Sequence, residues 1–472
     1  MKDIKIKDLV EITNGVLIGT VEDTYKDELM EKVIDDIAID SRQAKEGTLF
    51  VAIKGENVDA HKFIPQVADV ADAILTEESE EEICALSGVD NLPKNTAYIK
   101  VASTLDALQD IAAYIRKSYT KHIVGVTGSV GKTTTREMIT TALASNLEVF
   151  HTEGNMNSQI GVPLTVARIM DKPSEAAVLE MGISEPGGMD RLTRMVEPDI
   201  AVVTMIGQAH IEFLKTREGI REEKLRITGR MKEDGVLFLN ADDQMLYDMK
   251  GKTDVKTYYF GTREDADFRA ENIRFENGFN TYTYVHGDKR IDVSLNVLGM
   301  HNVLNSLVAM AISDHLGLDL EKAAKSFESF VGQRQKIIQS EKGYTIIDDS
   351  YNASPDSMKA ALSVLSGMKT EGRRIAVLGD MLELGDASEK LHRMVGEYVS
   401  EYKPDSLYCY GDEAMFISAE ASKHGIPSAA FHKDGKDMLC RKLKEQIKDG
   451  DCILFKASRG MKLEEVIDKI FE

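Results

Sequence analysis

The residues Gly125-Val126-Thr127-Gly128-Ser129-Val130-Gly131-Lys132-Thr133-Thr134-Thr135 have the types and spacing to hold a phosphate. They follow an apolar run, His122 to Val126, that reads as a buried strand. They open Thr133 to Ser145, where apolar residues recur at helical spacing. Between strand and helix, glycines let the backbone come close to an anion, successive N–H groups point at it, and the helix dipole adds positive charge. Gly128, Ser129, Val130, Gly131 and Thr134 supply the cradle, Lys132 reaches the outer phosphates, and the Thr133 hydroxyl can hold Mg²⁺. Valine stands at 126 where the longer form of this loop has glycine, so the pattern is the shorter Gly-x-x-Gly-Lys-Thr. An ordinary glycine-rich turn is the competing reading, and it leaves Gly-Lys-Thr at a helix start without a reason.

More candidates fall where parallel strands end. Glu180 follows the apolar run Ala176 to Leu179, and a carboxylate there can hold Mg²⁺, with a solvated strand-end glutamate as the alternative. Ile200 to Thr204 leads into Met205-Ile206-Gly207-Gln208-Ala209-His210. This puts His210 on the same rim, so it becomes a candidate ligand rather than a packed or surface histidine. Lys224 lies in a charged helical stretch, Arg217 to Lys232. Composition alone makes that stretch a solvated face and does not single Lys224 out from Arg221 or Arg226. Asn302 opens a further helix within Gly299-Met300-His301-Asn302-Val303-Leu304-Asn305. It can cap that helix, the default, or read a base edge.

The elements around these residues predict an α/β fold in three domains, 1–103, 104–331 and 332–472. The first is a small α/β module with strands in Thr48 to Ile53 and Ala97 to Val101 and a helix over Phe63 to Val70. The second starts with a helix, Leu105 to Ser118. It continues as a doubly wound, mostly parallel sheet with strands at Ala176 to Leu179, Ile200 to Thr204 and Val236 to Leu239. The third repeats that style. Its strands are at Tyr344 to Asp348, Arg374 to Leu378, Ser406 to Tyr410 and Cys452 to Phe455. Its helices are at Met358 to Leu365, Ser388 to Glu401 and Asp437 to Lys448.

Composition narrows the partners. A net charge of -21, from 79 acidic against 58 basic residues, argues against a general nucleic-acid or membrane-surface binder. It leaves room for local anion sites. Cys84, Cys409, Cys440 and Cys452 show no metal-type pairing and fit a reducing compartment. No apolar run reaches the roughly 20 residues of a membrane helix, and Met1 to Glu11 has no secretory core, so a cytoplasmic location is expected.

Ordered motifs along nearly the whole chain resemble the Mur ligases, the ATP-dependent amide-bond ligases of bacterial cell-wall synthesis. Asp40-Ser41-Arg42 and Gly47-Thr48-Leu49-Phe50-Val51-Ala52 are similar to the family's uridine-nucleotide module. The central region has the phosphate loop, Gly154-Asn155-Met156-Asn157-Ser158-Gln159-Ile160-Gly161, Glu180-Met181-Gly182, Ala209-His210-Ile211-Glu212 and His301-Asn302-Val303-Leu304-Asn305. Asp348-Asp349-Ser350-Tyr351-Asn352-Ala353-Ser354-Pro355-Asp356-Ser357-Met358, Leu378-Gly379-Asp380-Met381-Leu382-Glu383-Leu384-Gly385 and Lys456-Ala457-Ser458-Arg459-Gly460-Met461 complete the set. The Asp-Asp-Ser-Tyr-Asn and Gly-Asp-Met-Leu-Glu-Leu-Gly stretches favour the dipeptide-adding branch. The Asp-Asn-Pro-Arg signature of the branch that adds the third residue is missing.

The resemblance implies a reaction. ATP phosphorylates the terminal carboxylate of a UDP-N-acetylmuramoyl-tripeptide. D-alanyl-D-alanine then attacks the acyl phosphate, and an amide forms. Lys132, Glu180, His210 and Lys224 are the implied catalytic set. Two Mg²⁺ would be held by Thr133, Glu180, His210 and a CO₂ adduct of Lys224, whose amine must first be made less basic. Asn302 becomes the adenine reader, with Arg334 and Asp349 closing over phosphates and ribose. Ser41, Arg42, Asn155 and Asn157 are assigned to the UDP substrate, and Asn352, Ser354 and Ser458 loosely to the dipeptide. Two departures stand out: Gln208 replaces an expected glutamate, and Ser158 an expected asparagine, though serine still donates and accepts. Monomer is the family default. Another member of the superfamily, such as a folate polyglutamate ligase, and an ATP-driven switch for a protein partner are the competing functions.

Overall fold

The computed structural model describes residues 3–19, 23–55, 57–276, 279–332 and 335–471. Three β-sheets with helices against their faces account for most of these residues. The central one has nine strands, ordered edge to edge Lys289–Leu295, Phe279–His286, Phe268–Glu276, Lys256–Gly261, Val236–Asn240, Ile200–Val203, His122–Thr127, Ala176–Glu180 and Val149–His151. From Val149–His151 to Phe268–Glu276 the pairing is parallel; the last two strands are antiparallel additions.

The central strands read as unbroken apolar runs because both their faces are covered. Ile123, Ala177, Leu179, Ala201 and Val203 point into one buried layer. Val124, Val126, Ala176, Val178, Ile200 and Val202 point into the other. That second layer also takes Met138, Ile139, Ala142 and Leu143 of the helix Lys132–Ala144 and Val303 and Leu307 of the helix Met300–His315. The two helices are thereby clamped on one face of the sheet. The first layer continues into the N-terminal sheet through Leu49, Val51, Leu75 and Ile99 and the helix Thr104–Ser118.

The N-terminal sheet has five strands, Val16–Ile18, Ala97–Lys100, Ala73–Thr76, Thr48–Val51 and Asp36–Ala38 in spatial order. The C-terminal sheet has six: Lys336–Gln339, Thr345–Asp348, Cys452–Lys456, Arg374–Gly379, Ser406–Tyr410 and Ser428–Phe431. Its helices Pro355–Gly367, Ser388–Tyr402 and Lys436–Gln446 cover the positions read as helical, with ends moved by a few residues.

Three expectations change. The helix read over Phe63 to Val70 is one turn, Ile64–Val67, preceded by 3₁₀ geometry at Ala60–Phe63; Pro65 sits in its first turn, where no N–H is needed. The helical stretch Arg217 to Lys232 ends at Leu225 and tightens to 3₁₀ over Arg226–Thr228. The antiparallel strands from Phe268 to Leu295 were not anticipated. They alternate polar and apolar residues, with Tyr282, Tyr284, Val293 and Leu295 buried, which is the weaker signal of a sheet with one face in solvent.

Candidate active site

The order of the central strands creates the site. His122–Thr127 lies between Ala176–Glu180 and Ile200–Val203, with Glu180 opposite Val126 and Val203 opposite Thr127. The phosphate loop, Glu180 and the loop to His210 therefore leave the sheet along one rim. Gly128 has φ +151°, and a Cβ there would lie 1.8 Å from Thr204 Oγ1, so only glycine fits this turn. Thr204 Oγ1 donates to the Val130 carbonyl at 2.6 Å, and Ser129 N donates to the Met205 carbonyl at 2.9 Å. Both bonds tie the loop to the next strand. Lys132 begins the following helix, and its Nζ donates to the Gly128 carbonyl at 2.8 Å.

A cavity of about 470 Å³ spans this rim and the edge of the C-terminal sheet. Ser129 to Thr134, Asn155, Asn157, Ser158, Glu180, His210 and Asn302 line it from the central region. Asp349, Tyr351, Asn352, Ser354, Glu383 and Lys456 line it from the C-terminal region. Glu180 is the last residue of its strand and wholly buried, which removes the solvated reading. Its Oε1 accepts from Thr133 Oγ1 at 3.1 Å and from Asn157 Nδ2 at 2.6 Å. The pair expected to share a cation is thus already in contact.

Lys224 is also buried rather than solvated, and its Nζ has no hydrogen-bond partner among the described residues. Burial is the main reason its amine is held well below the ordinary lysine pKa; the positive charge of Lys132 adds to this and Glu223 opposes it. Its basicity is thus reduced by burial and by the neighbouring phosphate-loop lysine. Among the described residues no group of three or more His, Cys, Asp or Glu side chains forms a ready metal cage. Mg²⁺ does not require one, since it is commonly held by one or two carboxylates with substrate phosphates and water. Thr133 and Glu180 fit that donor set.

Asn302 is not a cap. Gly299 occupies the cap position, and Asn302 Nδ2 donates to the Leu298 carbonyl at 2.7 Å. Its Oδ1 accepts from Asn305 Nδ2 at 3.3 Å, and Asn305 Oδ1 accepts from Thr135 Oγ1 at 2.9 Å. The phosphate-loop helix thereby orients the amide that faces the cavity. Asp349 and Asn352 are gathered by Lys456, whose buried Nζ donates to Asp349 Oδ2 at 2.8 Å and to the Asn352 carbonyl at 2.9 Å.

Other expected residues lie differently. Ser354 lines the cavity, but its hydroxyl caps the helix Pro355–Gly367 in a reciprocal pair with Ser357. Ser458 is buried outside the cavity lining, its hydroxyl accepting from Leu382 N at 2.9 Å. Ser41 and Arg42 belong to the N-terminal module and do not line the cavity; Arg42 is paired with Asp40. Arg334 lies outside the described residues. Of the departures, Ser158 Oγ accepts from Gly161 N at 3.2 Å, and Gln208 N donates to Asp356 Oδ2 at 3.1 Å.

Sequence reasoning assigned no role to Lys456, Glu383, Asp356 or His301. Lys456 ends the strand Cys452–Lys456 on the same kind of rim as Glu180, a signal that was available. His301 lines the cavity with its imidazole lowered to about 4, first by burial and then by the charge of Lys456. Nothing in the spacing marked it.

Three family models match the chain in order. They are the Mur ligase family catalytic domain over residues 33–116, the Mur ligase middle domain over 126–313, and the Mur ligase glutamate ligase domain over 333–459. A curated relative from Bacillus subtilis (strain 168), named UDP-N-acetylmuramoyl-tripeptide–D-alanyl-D-alanine ligase, is 40% identical over 99% of this chain and 98% of its own length. The chain belongs to the Mur ligase family. An Escherichia coli (strain K12) Mur ligase of the same name is 31% identical over 100% of this chain and 99% of its own. Among solved structures, MurF from Acinetobacter baumannii superposes with a TM-score of 0.86 at 28% identity, covering 99% of this chain and 98% of that one. MurF ligase from Thermotoga maritima, solved in complex with ADP, gives 0.79 at 30% identity, covering 92% and 97%. A folylpolyglutamate synthase from Mycobacterium tuberculosis, at 16% identity, a TM-score of 0.60, and coverage of 77% of this chain and 94% of that one, shares the fold. No helix among the described residues is long and apolar enough to cross a membrane.

Proposed function

We propose that this Mur ligase joins D-alanyl-D-alanine to UDP-N-acetylmuramoyl-tripeptide, using ATP and releasing ADP and phosphate. The observation that carries the reading is full-length likeness to ligases of that name, combined with one cavity that collects the phosphate loop, Asn155 and Asn157, and the Asp349–Asn352 segment.

The chemistry follows from those positions. The γ-phosphate and the tripeptide carboxylate are both anionic, so their approach requires local positive charge. Lys132 and the N–H groups of Ser129 to Thr133 hold the triphosphate. Mg²⁺, if held by Thr133, Glu180, His210 and a carboxylated Lys224, would supply further charge at the transferring group. Asn155 and Asn157 position the carboxylate that becomes the acyl phosphate. Asn302 meets the adenine, Asp349 the ribose, and Asn352 the incoming dipeptide. Amine attack on the acyl phosphate then forms the amide and expels phosphate. On this reading the residues divide into a phosphate-holding rim and a C-terminal rim that brings the acceptor amine. The modules 1–103, 104–331 and 332–472 would bind the uridine nucleotide, ATP and dipeptide respectively.

The test is phosphate release with ATP, the UDP-linked tripeptide and one amine at a time. D-alanyl-D-alanine is expected to drive turnover. Turnover with a single amino acid and none with the dipeptide would overturn the assignment.

A further inference from the structure

Arg136 lies one helical turn beyond Lys132 and is buried to 1% exposure, yet the phosphate loop does not need it. Its guanidinium reaches three parts of the site at once. Nη1 donates to the Thr152 carbonyl at 2.5 Å and to the Gly154 carbonyl at 3.0 Å. The same nitrogen lies 3.7 Å from Glu180 Oε2, an oxygen that has no hydrogen bond among the described residues. Nη2 donates to Glu137 at 3.1 Å.

We propose that Arg136 is a positioning residue that couples the phosphate-loop helix to the loop that receives the UDP-muramoyl-tripeptide carboxylate. Thr152 and Gly154 lead directly into Asn155 and Asn157, the two asparagines that line the cavity. The loop is then closed on its far side by Asn157 Nδ2 bonding to Glu180 at 2.6 Å and by Gly182 N bonding to the Asn157 carbonyl at 2.8 Å. Thr152 Oγ1 also accepts from Glu180 N at 3.0 Å. One planar cation thus fixes the loop's entry and supplies the charge opposite a buried carboxylate. Arginine suits this because Nη1 serves both carbonyls while Nη2, braced by Glu137, fixes the plane of the guanidinium, whereas an ammonium is a single point charge without that brace. The inference rests on the ligase reading, since it takes the Asn155–Asn157 loop as the side that holds the UDP-muramoyl-tripeptide.

The test separates position from stability by comparing two buried arginines. Arg116 also donates to backbone carbonyls, those of Val196, Tyr119 and Glu197, but does not line the cavity. In Arg136→Lys the charge beside Glu180 remains and the planar group braced by Glu137 is lost. Its KM for UDP-muramoyl-tripeptide is expected to rise about tenfold, with the KM values for ATP and dipeptide within about twofold of wild type. Calorimetric titration with UDP-muramoyl-tripeptide alone, without ATP or Mg²⁺, is expected to show the same weakening. Arg116→Lys is expected to lower the melting temperature and leave every KM unchanged. Arg136→Gln, which also removes the charge, is expected to lose kcat as well. Unchanged tripeptide affinity in folded Arg136→Lys, or a uniform shift of all three KM values, would overturn the proposal while leaving the ligase reading intact. A wild-type chain that fails to turn over these substrates would overturn both.

Discussion

His210 Nδ1 lies 2.8 Å from Glu383 Oε2, so the rim of the central sheet and the loop after Arg374–Gly379 of the C-terminal sheet touch across the cavity. A second contact runs beside it, where Asp356 Oδ2 accepts from Gln208 N at 3.1 Å and sits where a Cβ at Gly207 would go. Reaction between an ATP-bound half and a dipeptide-bound half needs such closure. Glu383 is 57% exposed, and an exposed polar contact of this kind contributes at most about 1 kcal/mol. Glu383→Ala is therefore expected to lower kcat/KM by only about twofold to fivefold. ADP affinity measured by calorimetry is expected to stay the same, because the nucleotide cradle belongs to the central sheet. A loss of ADP binding equal to the loss of activity would contradict this.

Lys132 is the largest single contributor of positive charge in the loop. Removing one preorganised group that meets developing charge costs roughly 10²- to 10³-fold in rate. Lys132→Ala is expected to lose at least that much phosphate release while melting near the wild-type temperature. Near-normal turnover in a folded variant would refute the phosphate role.

Lys224 tests carbamate chemistry and burial separately. Lys224→Ala is expected to be crippled and partly restored by added short carboxylates such as formate or acetate. Wild-type rates without them would discard the carbamate. Lys224→Met is a stability test. Replacing a buried amine that has no partner by an apolar side chain of similar length is expected to stabilise the fold, by roughly 1–3 kcal/mol. Denaturant melts in CO₂-depleted buffer would read that gain.

Asp451 predicts an acid limit. Burial works to raise its carboxyl pKa, but hydrogen bonds from the Arg373 side chain and backbone and from Lys448 N outweigh it, so the net shift is downward. A carboxylate whose pKa is lowered by folding stabilises the fold fully above its ordinary value, about 3.9. That contribution is lost as pH falls through the lowered folded value. Wild type is expected to lose melting temperature as pH falls below about 4, and Asp451→Asn to start lower and lose less over that range. Parallel curves for the two would place the acid sensitivity elsewhere.

Much of the site was legible because its signals are local. Gly128, Gly131, Lys132 and Thr133 are read from one loop, and the strand before them announces itself by apolar content on both faces. Glu180 and His210 followed from the rule that ligands gather at the carboxyl ends of parallel strands. Lys224 did not follow from spacing. Its helix is charged, and only packing shows that this one lysine turns inward while Arg226 stays half in solvent. Arg136 was passed over for the same reason, since helical periodicity does not say which cation a sheet will cover. Spacing makes Asn302 a cap by default, but Gly299, at φ +103°, holds the cap position instead.

The order of residue types along the chain determined the strands, the phosphate loop and the family resemblance. Each depends on contacts within a few residues or on patterning that burial imposes directly. Tertiary structure alone decided that Glu180 meets Thr133 and Asn157, that Lys456 gathers Asp349 and Asn352, and that Lys224 is buried near Lys132. These pairings join residues far apart in sequence, and their energies come from desolvation and close geometry, which exist only once the sheets have packed.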